Sequence, residues 1–220
     1  ISTIRARYPA LATVPFVVTP HGHYRGAYAC TIDRTEARAR LGIPNEARVI
    51  AFVGQVRPYK NVLALLRAFR KLDDPSAVLI IAGKMKLLTT ADEFDALVAA
   101  DPRVRVIRGF VPADEMQIYL HAANLVALPF RDTLNSGSAI LALSFDRPVL
   151  VPRNAALTDL AHEVGDDWVM TYDDTLTPEI LASSLESAMQ LEGKTAPLDA
   201  LEWPRIASQT GNIYHMLVRS

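Results

Sequence analysis

Residues 124–151, NLVALPFRDTLNSGSAILALSFDRPVLV, constrain the fold more than any other stretch of the chain. An apolar run from Leu125 to Phe130 has the length of a buried strand. A polar loop, Arg131 to Ser136, leads to Gly137 and a small-residue helical stretch, Ser138 to Phe145. Pro148 restarts the chain as a second apolar run, Val149 to Val151. Strand, loop, helix and strand make one βαβ unit. Its loop joins the carboxyl end of a parallel strand to a helix N-terminus, where ligands of open α/β sheets bind. Asn135, Ser136 and Gly137 are small enough for their N–H groups to approach an anion, and the helix dipole favours a phosphate there. The same residues also read as an ordinary Asn-Ser N-cap followed by a packing glycine.

The rest of the chain repeats this alternation. Buried-strand runs fall at Val49–Val53, Ala77–Ala82, Val104–Ile107 and Trp168–Thr171. A short β-branched run, Phe16–Thr19, reads as a further strand. Helical patterns cover Thr35–Leu41, a segment after Asn61 carrying Val62, Leu65, Leu66, Phe69 and Leu72, then Ala91–Ala100, Asp114–Ala123, Leu157–Val164, Thr177–Leu191 and Trp203–Val218. The expected fold is α/β: a Rossmann-like, doubly wound parallel sheet of about six or seven strands with helices on both faces. Residues 1–15 lack a period and read as a helix end plus connector.

Half the residues are hydrophobic and 21% are charged, as in a soluble core-forming chain. The 23 Lys and Arg against 24 Asp and Glu leave a net charge of −1, with no basic excess pointing to nucleic acid. Cys30 is the single cysteine, so no internal disulfide forms and a cytoplasmic setting fits best. No apolar run approaches the ~20 residues of a membrane span. Pro20-His21-Gly22-His23-Tyr24 is a turn-rich loop whose histidines read as a ligand-facing pair, as packing groups, or as half of a metal site lacking further ligands nearby.

A second anion-binding geometry follows Val49–Val53. Gly54 ends that strand, and the loop that follows carries Arg57 and reaches Lys60, which is expected to open a helix that Asn61 can cap. No acidic residue interrupts Gly54 to Lys60, so the two cations have no partner within the loop. Read plainly, it is a solvated basic loop; its place after a strand-ending glycine favours a ligand site.

Several stretches together resemble the donor-binding, C-terminal half of GT-B fold retaining glycosyltransferases of the large group 1 family. These are Leu41-Gly42-Ile43-Pro44 with the strand to Gly54, Arg57-Pro58-Tyr59-Lys60-Asn61, Ile81-Ala82-Gly83-Lys84, Val106 to Pro112, Tyr119 to Pro129, and Asp146-Arg147-Pro148-Val149. Trp203, Ile206, Ala207 and Tyr214 resemble the family's final helix, which packs back toward the N-terminal domain; Trp203, Ile206, Ile213, Tyr214 and Leu217 are expected to form its packed face. The resemblance covers about residues 16–220.

The resemblance implies a nucleotide-sugar-dependent transferase with Arg57 and Lys60 as catalytic cations on the donor diphosphate, helped by Asn135, Ser136 and Gly137. It places Phe110 and Val111 at the nucleobase and Arg131 and Thr133 facing the sugar. The family's arginine directly after the strand-ending glycine is Gln55 here, and Arg57 supplies the charge from further along. Its two loop glutamates, one facing the sugar and one gripping the ribose, fall at Thr133 and Leu141, and both are missing. Branches that read Ser-Gly in this loop nonetheless resemble active transferases.

The division implied is 1–15 as connector, 16–200 as nucleotide-sugar domain and 201–220 as the helix returning to the other half. The chain is then expected to be one half of an enzyme and inactive alone. Its partners are a nucleotide sugar and its own N-terminal acceptor-binding domain. No metal or other cofactor is expected, since no Asp-x-Asp is present. Any membrane attachment would run through the missing half. The competing expectations are a non-catalytic nucleotide or phosphosugar-binding module and a structural Rossmann-like domain.

Overall fold

A computed structural model describes residues 2–14, 16–87, 90–131 and 137–218. The chain divides into two compact units, His23–Ala200 and Ile1–Gly22 with Leu201–Ser220.

The larger unit begins with α2 (Arg34–Leu41), after a first helix, α1 (Ser2–Arg7), in the smaller unit. It continues β1 (Arg48–Val53), α3 (Val62–Arg70), β2 (Ala77–Gly83), α4 (Ala91–Ala99), β3 (Val104–Arg108), α5 (Met116–Ala122) and β4 (Leu125–Ala127). Then come α6 (Gly137–Ser144), β5 (Val149–Pro152), α7 (Ala155–Val164), β6 (Val169–Tyr172) and α8 (Pro178–Met189). Among the described residues six strands form one parallel sheet in the order β3-β2-β1-β4-β5-β6. Helices cover both faces, with α3 against α4 and α8, and α2 against α5. Double coverage is why β1, β2 and β4 are almost continuously buried rather than alternating.

Local chemistry sets the helix ends. Asp33 accepts from Glu36 N–H ahead of α2, Asn154 from Leu157 N–H ahead of α7, and Thr177 from Ile180 N–H ahead of α8. Gly42 closes α2 in the left-handed conformation. Buried Arg38 on α2 donates to Ala122 O, Asn45 O and Asn124 Oδ1, and the last oxygen also accepts from Val49 N–H. One guanidinium thus ties α2 to the end of α5 and the start of β1.

The sheet reverses direction of growth between β1 and β4, which are neighbours although β2 and β3 intervene in sequence. That is the topological switch point of a doubly wound sheet. Gly54, Gly109 and Arg131 follow the carboxyl ends of β1, β3 and β4, and Gly83 ends β2, so these loops share one edge.

Three expectations need correction. Phe16–Thr19 forms no strand; Val17 and Val18 are 58% and 70% exposed. β-Branched residues favour a strand only where a neighbouring strand covers them. The run Leu125–Phe130 is buried throughout, but its ladder stops at Ala127, just before Pro129, which has no N–H to donate. Lys60 does not open α3: it ends a 3₁₀ turn, Pro58–Lys60, and Asn61 follows in the left-handed region without capping the helix through its side chain.

In the smaller unit α9 (Trp203–Val218) has the predicted bounds. Its predicted packed face is only partly packed. Ile206 is buried, while Trp203 and Tyr214 are 52% and 66% exposed. At 100° per residue these two lie roughly 60–80° round the helix from Ile206, on a common flank. The side chain of Leu217 lies outside the described residues.

Candidate functional site at the sheet switch point

The loops at the carboxyl edge are stitched together by backbone hydrogen bonds. Gly54 N–H donates to Ala82 O (2.9 Å), Val56 N–H to Lys84 O (3.0 Å) and Lys86 N–H to Val56 O (2.8 Å). Arg131 N–H donates to Tyr59 O (2.9 Å), joining the loops after β4 and β1 across the switch point. Gly83 shows how closely they approach. A Cβ there would stand 1.9 Å from Gly54 O, and its φ of +152° lies where side chains are rarely tolerated.

Lys60 sits between these strands. Its Nζ lies 5.0 Å from the centroid of the Phe130 ring and 5.8 Å from that of Phe52. A Cβ on Gly54 would come within 3.2 Å of the same nitrogen. The ammonium is thus bracketed by two ring faces and a bare backbone. Cation–π attraction offsets part of the cost of taking it out of water. Burial, helped by the positive charge of Arg57, lowers its pKa below the ordinary 10.5. Among the described residues no carboxylate forms an ion pair with it. A desolvated ammonium without a counter-ion is an unfilled demand for an anion.

Arg57 is exposed, and its Nε donates to Gln55 Oε1 (2.9 Å). Gln55, standing where the family pattern has arginine, therefore orients the guanidinium. The charge of Arg57 is near enough to lower the Lys60 pKa further.

The second half of the expected site is the start of α6. Gly137 is its first residue, and a Cβ there would stand 3.2 Å from Tyr24 Oη. Asn135, Ser136 and Thr133 lie outside the described residues. Arg131 is exposed, and Leu141 is half-buried on α6, an apolar side chain at the position where the family resemblance implies a glutamate.

Phe110 is 81% exposed, whereas Val111 is buried. Arg108 precedes them and lines a cavity of about 560 Å³ with Met85, Leu87 and Phe94. Among the described residues no group of three His, Cys, Asp or Glu could hold a metal ion. His21 Nδ1–H donates to Gly22 O, and the ring meets that of Trp203 edge-on at 5.7 Å. Cys30 is exposed, with Sγ 3.3 Å from His121 Nε2. Among the described residues no helix is long and apolar enough to cross a membrane.

Sequence reasoning missed the bracket around Lys60, because Phe52 and Phe130 read only as buried strand residues. It also missed the place of Tyr24, which no local pattern signals, since Gly137 lies far along the chain.

Comparison with known proteins gives the family and the fold. The glycosyl transferases group 1 family matches residues 33–150. A GDP-mannose:glycolipid 4-beta-D-mannosyltransferase from Xanthomonas campestris pv. campestris is 32% identical over 187 residues, covering 84% of this chain and 51% of that protein. The chain spans about half the length of the curated relatives it matches. Among solved structures, a sucrose-phosphate synthase from Thermosynechococcus elongatus superimposes with a TM-score of 0.71 at 17% identity, over 99% of this chain and 56% of that one. HepE from Anabaena in complex with UDP-glucose superimposes with a TM-score of 0.63 at 17% identity, over 87% and 54%. These two likenesses concern the fold. The family match spans more than half of the sequence and the mannosyltransferase is a relative along most of it, so this chain belongs to the glycosyl transferases group 1 family.

Proposed function

We propose that the chain is the donor-binding half of a glycosyltransferase that takes a nucleoside diphosphate sugar at the β1/β4 switch point. The observation that carries this reading is Lys60: a desolvated ammonium, without a carboxylate partner among the described residues, at the edge where such sheets bind ligands. When a sugar leaves a nucleoside diphosphate, negative charge builds on the phosphate. Fixed cations aimed at that charge stabilise the transition state. Lys60 and Arg57 supply it, each contact contributing roughly 1.5–3 kcal/mol. In this reading no divalent cation is required, because the two side chains neutralise the leaving group. Gly137 opens the helix whose N-terminus faces the distal phosphate, and Phe110 with Val111 borders the base.

The relative from Xanthomonas is named for GDP-mannose and a glycolipid. We therefore take a GDP-sugar, GDP-mannose first, as the donor and a lipid-linked sugar as the acceptor. The acceptor would be bound by sequence beyond the half that this chain spans. The exposed flank of α9 carrying Trp203 and Tyr214 is the surface such a half would cover.

Titration of the chain with GDP-mannose, UDP-glucose, GDP and UDP tests the reading. Saturable binding of a nucleoside diphosphate sugar supports it; no binding of any of the four removes it. Leu141 favours a second reading, a nucleotide-binding module without catalysis, since it cannot hold a ribose hydroxyl. Sugar transfer by a longer protein containing the upstream half, with the anomeric configuration of the product read by NMR, separates the two.

A further inference from the structure

The cavity of about 560 Å³ opens at the carboxyl edge beside the two outer strands, β2 and β3. The backbone on one side of it is fixed. Val56 and Met85 continue the β1/β2 pairing past the strand ends as a parallel bridge, and Lys86 N–H donates to Val56 O (2.8 Å). Met85, Lys86 and Leu87 form this wall. Ala91, Phe94 and Asp95, on the first two turns of α4, form the second, and Arg108 at the end of β3 the third.

The lining divides by chemistry. Met85, Leu87, Ala91 and Phe94 are apolar. A thioether and an aromatic ring side by side favour an aromatic guest. The polar lining is two cations against one carboxylate. The Arg108 guanidinium carbon lies 5.6 Å from the centroid of the Phe94 ring, and its NH2 donates to Asp95 Oδ1. That pair occupies one nitrogen of a group with five N–H donors. Lys86 is exposed, and among the described residues no carboxylate pairs with it. Apolar walls with one excess positive charge suit a small molecule that is aromatic at one end and anionic at the other. The volume falls in the range of small-molecule sites.

The cavity stands apart from the donor site. The β1/β4 switch point lies about two strand spacings away, roughly 10 Å. Arg57, Lys60, Phe110 and Val111 are not among its lining residues. It is built on α4, which packs with α3, whereas the loop of Phe110 and Val111 leads into α5, which packs with α2.

We propose that this cavity is a second small-molecule site, separate from the donor site, which takes an aromatic anion: its rings lie against Met85, Leu87 and Phe94, and its acid group meets Lys86 and Arg108. The site does not depend on the donor reading, since no residue is shared.

Anilinonaphthalene sulfonate is an aromatic anion whose fluorescence reports binding, and phenylnaphthylamine is the same ring system without the acid. The chain, Ala91→Phe and Lys86→Gln are titrated with both probes, with thermal melts alongside. The wild type should bind one sulfonate per chain saturably. Ala91→Phe places a ring in the cavity and should weaken both probes roughly tenfold or more. Lys86→Gln should weaken the sulfonate by roughly fivefold and leave the neutral probe within about twofold. Melting points should stay within about 2 °C, because both positions are exposed. Weakening in Ala91→Phe assigns the binding to this cavity rather than to the exposed Trp203 flank. Excess GDP should leave sulfonate affinity unchanged. No saturable binding of the sulfonate up to about 1 mM, or an affinity unaltered in Ala91→Phe, overturns the site. Equal effects of Lys86→Gln on the two probes overturn its preference for an anion. Competitive displacement by GDP overturns its separateness and makes the cavity part of the donor site.

Discussion

The ammonium of Lys60 rests over the ring of Phe130, 5.0 Å from its centroid, at the point where β4 ends and the loop toward α6 begins. This single contact ties the basic loop after β1 to the loop after β4. It places a positive charge between the two strands at which the sheet reverses its order. Burial there makes the charge costly in the absence of an anion.

A pH dependence follows. The unliganded Lys60 has a pKa below 10.5, through burial first and Arg57 second. In the proposed site a diphosphate binds the protonated form, so affinity should be full below the lowered pKa and fall as pH rises through it. The alkaline fall in GDP affinity should therefore begin earlier than for an ordinary lysine. Calorimetry between about pH 7 and 10 reads this, and Lys60→Arg should abolish the fall, since guanidinium stays charged throughout.

Gly83→Ala tests the stitching of the loops. The added methyl meets Gly54 O at 1.9 Å on a backbone with φ of +152°. Backbone on both sides leaves nothing flexible to yield. The expected loss is about 3 kcal/mol or more, seen as a fall of roughly 6 °C or more in Tm for a domain of this size. A variant that melts with the wild type would show that the two loops do not approach as described.

Arg38→Met tests the buried tie on α2. Burial lowers the Arg38 pKa to about 10, so it remains charged at neutral pH and donates to Ala122 O, Asn45 O and Asn124 Oδ1. Methionine fills the volume but leaves these buried acceptors without that donor. At about 1–3 kcal/mol for each unsatisfied group, a loss near 3 kcal/mol is expected by urea denaturation, with GDP affinity unchanged at temperatures where the variant is folded. Loss of affinity without loss of stability would contradict a purely structural role.

The strands, the shared carboxyl edge and the cationic loop were legible in the sequence because each depends on local pattern. Apolar runs such as Val49–Val53 declare a doubly covered sheet, and a strand-ending glycine followed by Arg57 and Lys60 declares a loop with charge to spare. What was not legible depends on partners distant in the chain. Phe16–Thr19 has strand composition but gains no neighbour. Lys60 looked like the first residue of a helix, whereas Pro58 initiates a 3₁₀ turn that carries it onto Phe130. The Tyr24 hydroxyl at Gly137 depends on tertiary packing alone.

The α9 flank offers a test of the proposed upstream half. Trp203 is half exposed and Trp168 is buried. Acrylamide quenching of this chain should show one accessible and one protected tryptophan. In a longer protein that includes the upstream half, Trp203 should become protected. Equal quenching in both proteins would contradict the proposal that this flank is covered.

The most direct measurement is calorimetric titration of the wild type, Lys60→Ala and Arg57→Ala with GDP and UDP, at low and high salt, with thermal melts alongside. The account predicts roughly tenfold or greater weakening for each variant, as loss of a charge-assisted phosphate contact implies, with melting points preserved. Binding by the wild type should also weaken with salt, because the exposed Arg57 charge is screened. A wild type that binds a nucleoside diphosphate with an affinity unchanged in both variants would contradict the central claim that Lys60 and Arg57 hold the donor diphosphate.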